Sequence, residues 1–388
     1  MNTIARNRLA RIAFAAATIL VFTSPLFAYP PDNAAVLYYR ASLTYDANDS
    51  MIEKALQCAR GRIPIDDEIR AYVHNNKHAI KHFVDADQSP HCDWGLDYSE
   101  GLDLMMPQYA SLRNIGRIVL AKARMASESG DHAQALDLCL SVHKAGLHIA
   151  NDGIIISHLV GISLNALANQ SLSDILPHIA QDQQALIHLR GRILEISGDL
   201  RPIKAAVNVD LRTSGQDLRR ERADYIVELC GEDISKESAK IIKQGDDAFF
   251  DASREYFMEY LDAVLTAFDL PYPESYEKLV RVAKQPSLDS KKNPHAILSD
   301  VFAPAMGKVL CLDVRNGTHF NAVVTALNLY IIKTRIGKLP DELPDDMPKD
   351  LFSDKDFKYE KKKGAFILTC QGKDLSRDET YEYEFKVK

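Results

Sequence analysis

The segment LRNIGRIVLAKARM, residues 112–125, decides the fold class of this chain. Its apolar side chains recur at intervals of three and four residues, which places them in one stripe along an α-helix. Gly130 can adopt the left-handed backbone that often follows a helix end, and Asp131 can cap the next helix. Further apolar stripes over residues 133–147 and 152–176 predict a helical hairpin followed by a third helix. We therefore predict a mainly α fold built on antiparallel helices.

The turn GDHAQAL, residues 130–136, resembles the corner of a tetratricopeptide repeat. No second copy follows at the repeat spacing of roughly 34 residues. Any antiparallel helix pair favours Gly followed by a capping residue, so the same turn also fits a single hairpin. A repeat-like array and an ordinary multi-helix domain both remain open.

The first 28 residues have the pattern of an export signal. Three arginines before Ile12 precede an apolar run to Phe22, and Ala28 offers a cleavage site before Tyr29. The alternative is an uncleaved anchor, because the apolar stretch approaches the spanning minimum of about 17 residues. We expect an exported protein, periplasmic or in the cell envelope, that meets a membrane only through this segment.

The charge of the chain narrows the classes of partner. Its formal charge is −7, and cleavage of the signal would remove three arginines and bring it to −10. An acidic chain is unsuited to nucleic acid or to an anionic membrane surface. We therefore predict no nucleic-acid partner.

The six cysteines include no Cys-x-x-Cys pair, which disfavours a zinc ribbon or a thioredoxin-type site. An exported protein can form disulfides. Cys58 and Cys92 flank one predicted helix and are the first candidate pair. Cys311 and Cys370, both near the C-terminus, are the second.

Three histidines share one side of a helix predicted over residues 64–84. His74, His78 and His82 lie opposite its apolar face, and His91 follows in the next loop. They suggest a metal site such as zinc, or else a solvated polar face, since a straight helix offers neighbouring histidines to one ion only two at a time. No His-Glu-x-x-His motif is present.

The loop QSPHCDWGLD, residues 88–97, holds the only tryptophan. Trp94 could form the floor of a pocket there. It could instead plug the end of a helical core, with its indole N–H on a nearby carbonyl.

A long charged helix is predicted over residues 202–229, and another helix over residues 233–268. The first carries four arginines that either grip an anionic ligand or form a surface network of ion pairs with neighbouring acids. These arginines are Arg212, Arg219, Arg220 and Arg222. Residues 285–294 have the composition of a linker. We therefore divide the chain into a signal peptide at 1–28, an α-helical domain at 29–290 and an α+β module at 291–388.

The predicted α+β module consists of one long helix and a short antiparallel sheet. An amphipathic helix over residues 319–336 precedes strands at 357–359, 365–369 and 381–385, with a hairpin turn at 360–364.

The segments GKLP (337–340), DLF (350–352), FKY (357–359) and GKD (372–374) resemble the C-terminal part of type II secretion major pseudopilins. That resemblance implies a calcium site in the final loop, for which Asp374 and Asp378 are the candidates. The prepilin-peptidase motif is absent, so the resemblance does not imply a pilus. With CDWG (92–95) and ISHLVG (156–161), the chain also resembles a set of uncharacterised exported proteins of planctomycetes.

Two hypotheses for the function remain. The first is a non-enzymatic envelope protein that binds or scaffolds another envelope protein or a cell-wall component; it predicts no cluster of buried, mutually bonded polar groups. The second is a metal-assisted hydrolase near Trp94 and the face of His74, His78 and His82; it predicts a pocket where these groups converge. The sequence holds no Gly-x-Ser-x-Gly elbow, phosphate-binding loop or dinucleotide fingerprint, which favours the first hypothesis.

Overall fold

The computed structural model describes residues 29–89, 91–196, 202–231, 234–302 and 305–387. The predicted signal peptide, residues 1–28, lies outside these residues, and its cleavage stays a prediction. Among the described helices, none combines the length and the apolar composition that a membrane crossing requires.

Fifteen α-helices and one antiparallel sheet form the described part of the chain, which confirms the mainly α fold. The helices of the first half are α1 (Ala34–Leu43), α2 (Asp49–Ala59), α3 (Asp67–Asn75), α4 (Lys77–Asp85), α5 (Gln108–Glu128), α6 (His132–Ala150), α7 (Ile155–Ile175) and α8 (Gln183–Ile196). Those of the second half are α9 (Ile203–Gln216), α10 (Ala223–Cys230), α11 (Lys236–Gln244), α12 (Asp247–Ala267), α13 (Tyr272–Asp289), α14 (Ile297–Phe302) and α15 (Met306–Ile336). The strands are β1 (Lys358–Lys362), β2 (Ala365–Thr369) and β3 (Glu382–Lys386).

Helices α5, α6 and α7 form the predicted hairpin and third helix at the centre of the molecule. Gly130 ends the connection with a φ of +89°, which only glycine adopts without strain. The Asp131 carboxylate accepts a hydrogen bond from the backbone N–H of Gln134 at 3.0 Å and so caps α6. The end of α5 and the start of α6 therefore follow from the local chemistry of Gly130 and Asp131.

Helices α6 and α7 approach each other closely at two glycines. A Cβ atom on Gly161 would lie 2.3 Å from the carbonyl oxygen of Gly146, and one on Gly146 would lie 1.9 Å from Oδ1 of Asn165. Both separations are shorter than real Cβ contacts allow. The two helices can therefore pack at this distance only because both positions lack a side chain.

The helix predicted over residues 64–84 is two helices, and the single-helix prediction is wrong. The chain breaks at Asn76, a buried residue with φ −85° and ψ 13°. Its Oδ1 accepts a hydrogen bond from the N–H of Asp46 at 3.0 Å, and its Nδ2 donates to the carbonyl of Tyr72 at 3.1 Å. An Asn side chain that bonds the backbone competes with helical pairing, which explains the break.

The helices predicted over residues 202–229 and 233–268 are also interrupted. The first ends at Gln216 because the buried carboxylate of Asp217 accepts a hydrogen bond from the N–H of Leu102 at 2.8 Å, a residue of another segment. The second is interrupted at Gly245, after which Asp246 caps α12 by accepting a bond from the N–H of Phe249 at 2.9 Å. Periodicity alone did not reveal these breaks, since the apolar pattern continues across both.

The C-terminal elements have the predicted order, with a longer helix than expected. Helix α15 begins at Met306 instead of His319. The sheet has the order β1-β2-β3 with antiparallel neighbours, and Lys358 pairs with Thr369 in one ladder while Glu382 pairs with Thr369 in the other. The hairpin turn is tighter than predicted, because β1 extends to Lys362.

The hydrophobic core is continuous from α1 to β3. Helix α15 packs against α7, α8 and α13, and the ring of Tyr330 on α15 contacts Phe366 on β2 at a centroid distance of 5.5 Å. The expected linker at 285–294 is largely absent, because α13 continues to Asp289 with Pro286 inside it. The Pro286 side chain is buried, which offsets the backbone hydrogen bond that proline cannot donate.

Replacement of Gly161 tests the close helix contact. We expect Gly161→Ala to lower the free energy of unfolding by about 3 kcal/mol, because the new Cβ forces α6 and α7 apart. Chemical denaturation gives the value. Gly191→Ala on α8 is the matched control: a Cβ there meets no atom within 4 Å, so alanine should stabilise by about 0.5–1 kcal/mol. Equal effects of the two variants would contradict the packing argument.

Candidate functional site

The candidate histidines do not converge on one site. His74 lies on α3, whereas His78 and His82 lie on α4 beyond the break at Asn76. His91 is exposed in the following loop. Within the described ranges, no three or more His, Cys, Asp or Glu side chains are grouped so that they could hold a metal ion. The arrangement of these four histidines therefore gives a zinc site no support.

Asp374, the first calcium candidate, is fully buried and already surrounded by donors. Its carboxylate accepts hydrogen bonds from the hydroxyls of Ser376 at 2.7 Å and Tyr381 at 3.1 Å, and it pairs with the guanidinium of Arg315. Burial alone would raise the pKa of Asp374, but the bonds from Ser376 and Arg315 outweigh burial and hold the pKa below its usual range. Asp378 instead pairs with Lys373 at 2.5 Å on the surface.

The loop at Asp374 has a counterpart at Asp350. In each loop the first Asp donates its N–H to the residue five positions later, and the residue four positions later donates its N–H back to that Asp, all at 2.8 Å. Asp354 and Asp378 occupy that later position with φ of +55° and +63°. The buried Asp350 carboxylate also accepts bonds from the N–H of Gln371 at 2.8 Å and of Gly372 at 2.7 Å. The two aspartates therefore organise the loops around the sheet.

The six cysteines are free thiols, so neither predicted disulfide, Cys58–Cys92 nor Cys311–Cys370, is formed. Burial raises the pKa of the Cys58, Cys92, Cys311 and Cys370 thiols, which keeps them protonated. The Cys311 sulfur instead shares a hydrogen bond of 3.1 Å with the hydroxyl of Tyr272.

Trp94 belongs to the core, which confirms the interpretation as a plug. Its side chain is only 4% exposed, and Nε1 donates a hydrogen bond to the carbonyl of His148 at 3.1 Å. The indole stacks on the ring of Tyr38 at a centroid distance of 5.5 Å and meets Tyr109 edge-on at 5.4 Å. No open pocket is therefore formed over this ring.

Each of the four arginines of residues 212–222 pairs with an aspartate, as the ion-pair interpretation predicts, but of the four partners below only Asp217 belongs to the same segment. The pairs are Arg212–Asp262, Arg219–Asp217, Arg220–Asp247 and Arg222–Asp103, at 3.5, 3.3, 4.0 and 2.7 Å.

The most distinctive polar feature of the molecule lies on α7. Small and polar residues recur every four positions, and we call this row the polar seam: Ser157, Gly161, Asn165, Asn169 and Ser173. Residues four apart share one face of a helix, and this face packs against α6 and α15. The side chains of Ser157, Asn165 and Asn169 are buried, and Gly161 lies against the backbone of Gly146. A row of this kind inside an apolar helix requires partners on the neighbouring helices.

Polar side chains of α15 supply several of these partners. Nδ2 of Asn169 donates to Oδ1 of Asn316 at 3.1 Å, and Oγ of Ser173 lies 3.0 Å from Nε2 of His319. Beside the seam, Nε2 of the buried His158 lies 2.8 Å from the carboxylate of Asp313. Sequence reasoning missed these residues because the members of each pair are about 150 positions apart in the chain. The period-four row of Ser, Gly and Asn was the available signal.

Two histidines next to the seam are held neutral. Burial lowers the pKa of His143 to about 4, although a hydrogen bond to Asn169 acts in the opposite direction. Burial likewise lowers the pKa of His319 to about 4. Their rings stack on Phe320 and Tyr383 at centroid distances of 4.4 and 4.9 Å. These two imidazoles are therefore uncharged at neutral pH.

The seam opens into a groove of about 430 Å³ between α7, α15 and β3. Helix α7 contributes an apolar wall with Ile162 and Ala166, and α15 contributes Leu312 and His319. Strand β3 contributes its residues from Glu382 to Phe385. A volume of this size falls in the range of ligand-binding sites in proteins. We refer to this feature as the seam groove.

The pair of Ser173 and His319 lies in this groove but is not arranged as a nucleophile and base. The Ser173 hydroxyl donates its single proton to the carbonyl of Asn169 at 2.9 Å, so Nε2 of His319 acts as the donor toward Oγ. Within the described chain, no carboxylate orients this imidazole. An activated serine needs the opposite proton arrangement and a base held by a third group.

In comparisons with protein-family models, with curated proteins and with solved structures, nothing matches this chain.

The neutral histidines give the protein a pH-dependent stability. Because the folded state keeps His143 neutral until about pH 4, the unfolded state takes up a proton first as the pH falls below about 6.5, and stability declines in that interval. The free energy of unfolding should fall between pH 7 and pH 5 in both proteins. We expect this fall to be smaller in His143→Gln than in the native chain, by about 2 kcal/mol. Urea denaturation at both pH values measures this difference. Replacement of the exposed His78 by Gln controls for loss of a histidine, and an unchanged pH dependence in H143Q would contradict the argument.

Substitution of Asp374 and of Asp378 distinguishes an ion-pair role from a calcium-binding role. We expect Asp374→Asn to lower the free energy of unfolding by about 3 kcal/mol, because it leaves Arg315 partly buried without its counter-ion. Asp378→Asn should change it by less than about 0.5 kcal/mol, since this side chain is 85% exposed and Asn tolerates its positive φ. Thermal melts in EDTA and in calcium complete the test. A calcium-dependent rise in melting temperature that both variants abolish would favour the calcium site.

Proposed function

We propose that this chain is an exported, non-enzymatic binding module of the cell envelope, and that its ligand-binding surface is the seam groove. The observation that carries the proposal is the groove itself, where an apolar wall, two tyrosines and exposed carboxylates meet over a polar layer. Sites that combine apolar surface with a few oriented polar groups are typical of binding surfaces. An envelope protein is the partner class we favour over a cell-wall component.

The chemistry of the groove favours binding over catalysis. The hydroxyl of Ser173 donates its hydrogen bond to the backbone carbonyl of Asn169, and Arg315 is paired with Asp374. Neither group is free to attack a substrate or to stabilise a developing anion. The buried polar cluster along the seam was not expected for a binding module. Its bonds join α7 to α15, which supports a structural role beneath the groove.

The alternative function, a metal-assisted hydrolase, draws little support from the positions of its proposed residues. Trp94 is enclosed by tyrosines, and His74, His78 and His82 are divided between two helices. The polar cluster that a hydrolase would need lies on α7 and α15 instead of near Trp94.

Export is proposed from the basic and apolar pattern of residues 1–28 and the small residue at Ala28. We expect the protein isolated from the envelope fraction to begin at Tyr29, and mass spectrometry of its N-terminal peptide measures this. Recovery of the intact first 28 residues in a membrane fraction would favour the anchor, and recovery only inside the cytoplasm would contradict export.

Site-specific photocrosslinking tests the binding function. We expect benzoylphenylalanine at Leu312, exposed on the groove wall, to form a discrete covalent adduct in intact exporting cells. The same residue at Leu229 on α10, which is also exposed but outside the groove, is the matched control and should form none. No adduct at 312, or equal labelling at both positions, would contradict the seam groove as the binding surface.

A further inference from the structure

Strand β3 is an outer strand of the sheet. It pairs with β2 along one edge, with Leu368 opposite Tyr383 and Phe366 opposite Phe385. An outer strand presents unpaired backbone N–H and C=O groups along its other edge, which another chain can pair with.

The hydrogen bonds at the two ends of the β2–β3 ladder show which residues of β3 present these unpaired groups. The N–H of Cys370 donates to the carbonyl of Tyr381 at 2.9 Å, and the N–H of Val387 donates to the carbonyl of Gly364 at 2.8 Å. In an antiparallel ladder the bonded residues alternate. Tyr383 and Phe385 therefore also bond to β2, whereas the backbone groups of Glu382 and Glu384 point away from the sheet.

The outward edge of β3 lines the seam groove. Residues from Tyr381 to Phe385, five in succession, line that groove together with α7. Alternate side chains of a strand point to opposite faces, so five consecutive residues along one groove fit a strand that presents its backbone edge there. Among the described residues, the N–H groups of Glu382 and Glu384 have no hydrogen-bond acceptor. At the far end of the strand, the carbonyl of Lys386 is already bonded by the hydroxyl of Tyr330 at 2.5 Å.

The charge along this edge is negative. Asp174, Glu382 and Glu384 are exposed and line the groove, and none of the three forms an ion pair within the described part of the chain. Gln170 donates a hydrogen bond to Asp174 at 3.0 Å, which leaves its charge in place. Arg315, which also lines the groove, is neutralised by Asp374. A ligand that pairs with this edge therefore gains by carrying positive charge.

We propose that the outward edge of β3 binds an extended, basic segment of a partner protein as a fourth strand of the sheet. The inference rests on the proposed binding function and names its partner class. Backbone bonds to Glu382 and Glu384 would supply the pairing, and lysine or arginine side chains opposite these two glutamates would supply the charge match. The intervening side chains of the segment face α7, where Ile162 and Ala166 select small apolar residues. The recognised pattern is thus an alternation of basic and apolar residues.

A synthetic peptide provides the direct probe. We expect the fluorescein-labelled heptapeptide Lys-Val-Lys-Val-Lys-Val-Lys, capped at its C-terminus, to bind the mature chain in a fluorescence-anisotropy titration. The matched peptide with Glu in place of each Lys should bind at least tenfold more weakly. N-methylation of alternate residues on one edge of the basic peptide should weaken binding at least tenfold, while methylation on the other edge should not, because only one edge pairs with β3.

Two proline variants separate pairing from folding. Glu384→Pro removes an outward N–H without removing a bond to β2, so the sheet is retained and the affinity should fall at least tenfold. Lys361→Pro is the matched control, because alternation along β1 also points the N–H of Lys361 away from β2, at the opposite edge of the sheet. It should leave the affinity unchanged. Melting temperatures of both variants confirm that they are folded.

Charge reversal provides an independent check that does not touch the backbone. Glu382→Lys with Glu384→Lys should weaken binding of the Lys peptide at least tenfold and strengthen binding of the Glu peptide. Equal binding of the two peptides by the native chain, or native affinity in E384P, would overturn strand addition. If crosslinking at position 312 succeeds while these peptides do not bind, the binding function stands and this inference fails. If neither succeeds, the proposed function fails as well.

Discussion

The contact of α6 with α7 at Gly146 and Gly161 is the constraint on which the rest of the structure depends. A Cβ at Gly161 would come within 2.3 Å of the Gly146 carbonyl oxygen, so the backbones meet without intervening side chains. The same row of α7 that carries Gly161 also carries Asn165 and Asn169. Residues on one face of a helix keep a fixed orientation relative to one another. The glycine contact therefore directs the whole polar seam into the interior between α6 and α15.

Several polar atoms of the seam are paired across helices, which stabilises the seam in the interior. Asn169 bonds to Asn316 and Ser173 to His319, and burial keeps His143 and His319 neutral. A buried polar layer of this kind disfavours sliding of α7 along α15, since each shift would break bonds that water cannot replace. Helix α15 is thereby held in register, and with it the sheet that packs on Tyr330. The seam groove is the place where this polar layer reaches the surface.

The C-terminal sheet depends on a second device, the paired aspartate loops. Asp350 ties the first loop to the backbone of Gln371 and Gly372, and Asp374 ties the second loop to Arg315 on α15. Both carboxylates are buried and accept their hydrogen bonds from donors of the chain itself. Because the second loop leads directly into β3, the ion pair of Asp374 also places the strand edge and its two glutamates along the groove.

The sequence by itself determined the helical class, the central hairpin with its Gly130 and Asp131 signals, strand β2 and the core position of Trp94 as one of two interpretations. These depend on periodicity, caps and side-chain chemistry that act within a few residues. Only the tertiary structure decided the breaks at Asn76 and Asp217, because the groups that these side chains bond, Asp46 and Leu102, are distant in the chain. It alone brought α7, α15 and β3 together. The polar groups of α7 lie some 150 to 210 positions from those of α15 and β3, and no local pattern specifies which distant partner satisfies a buried donor.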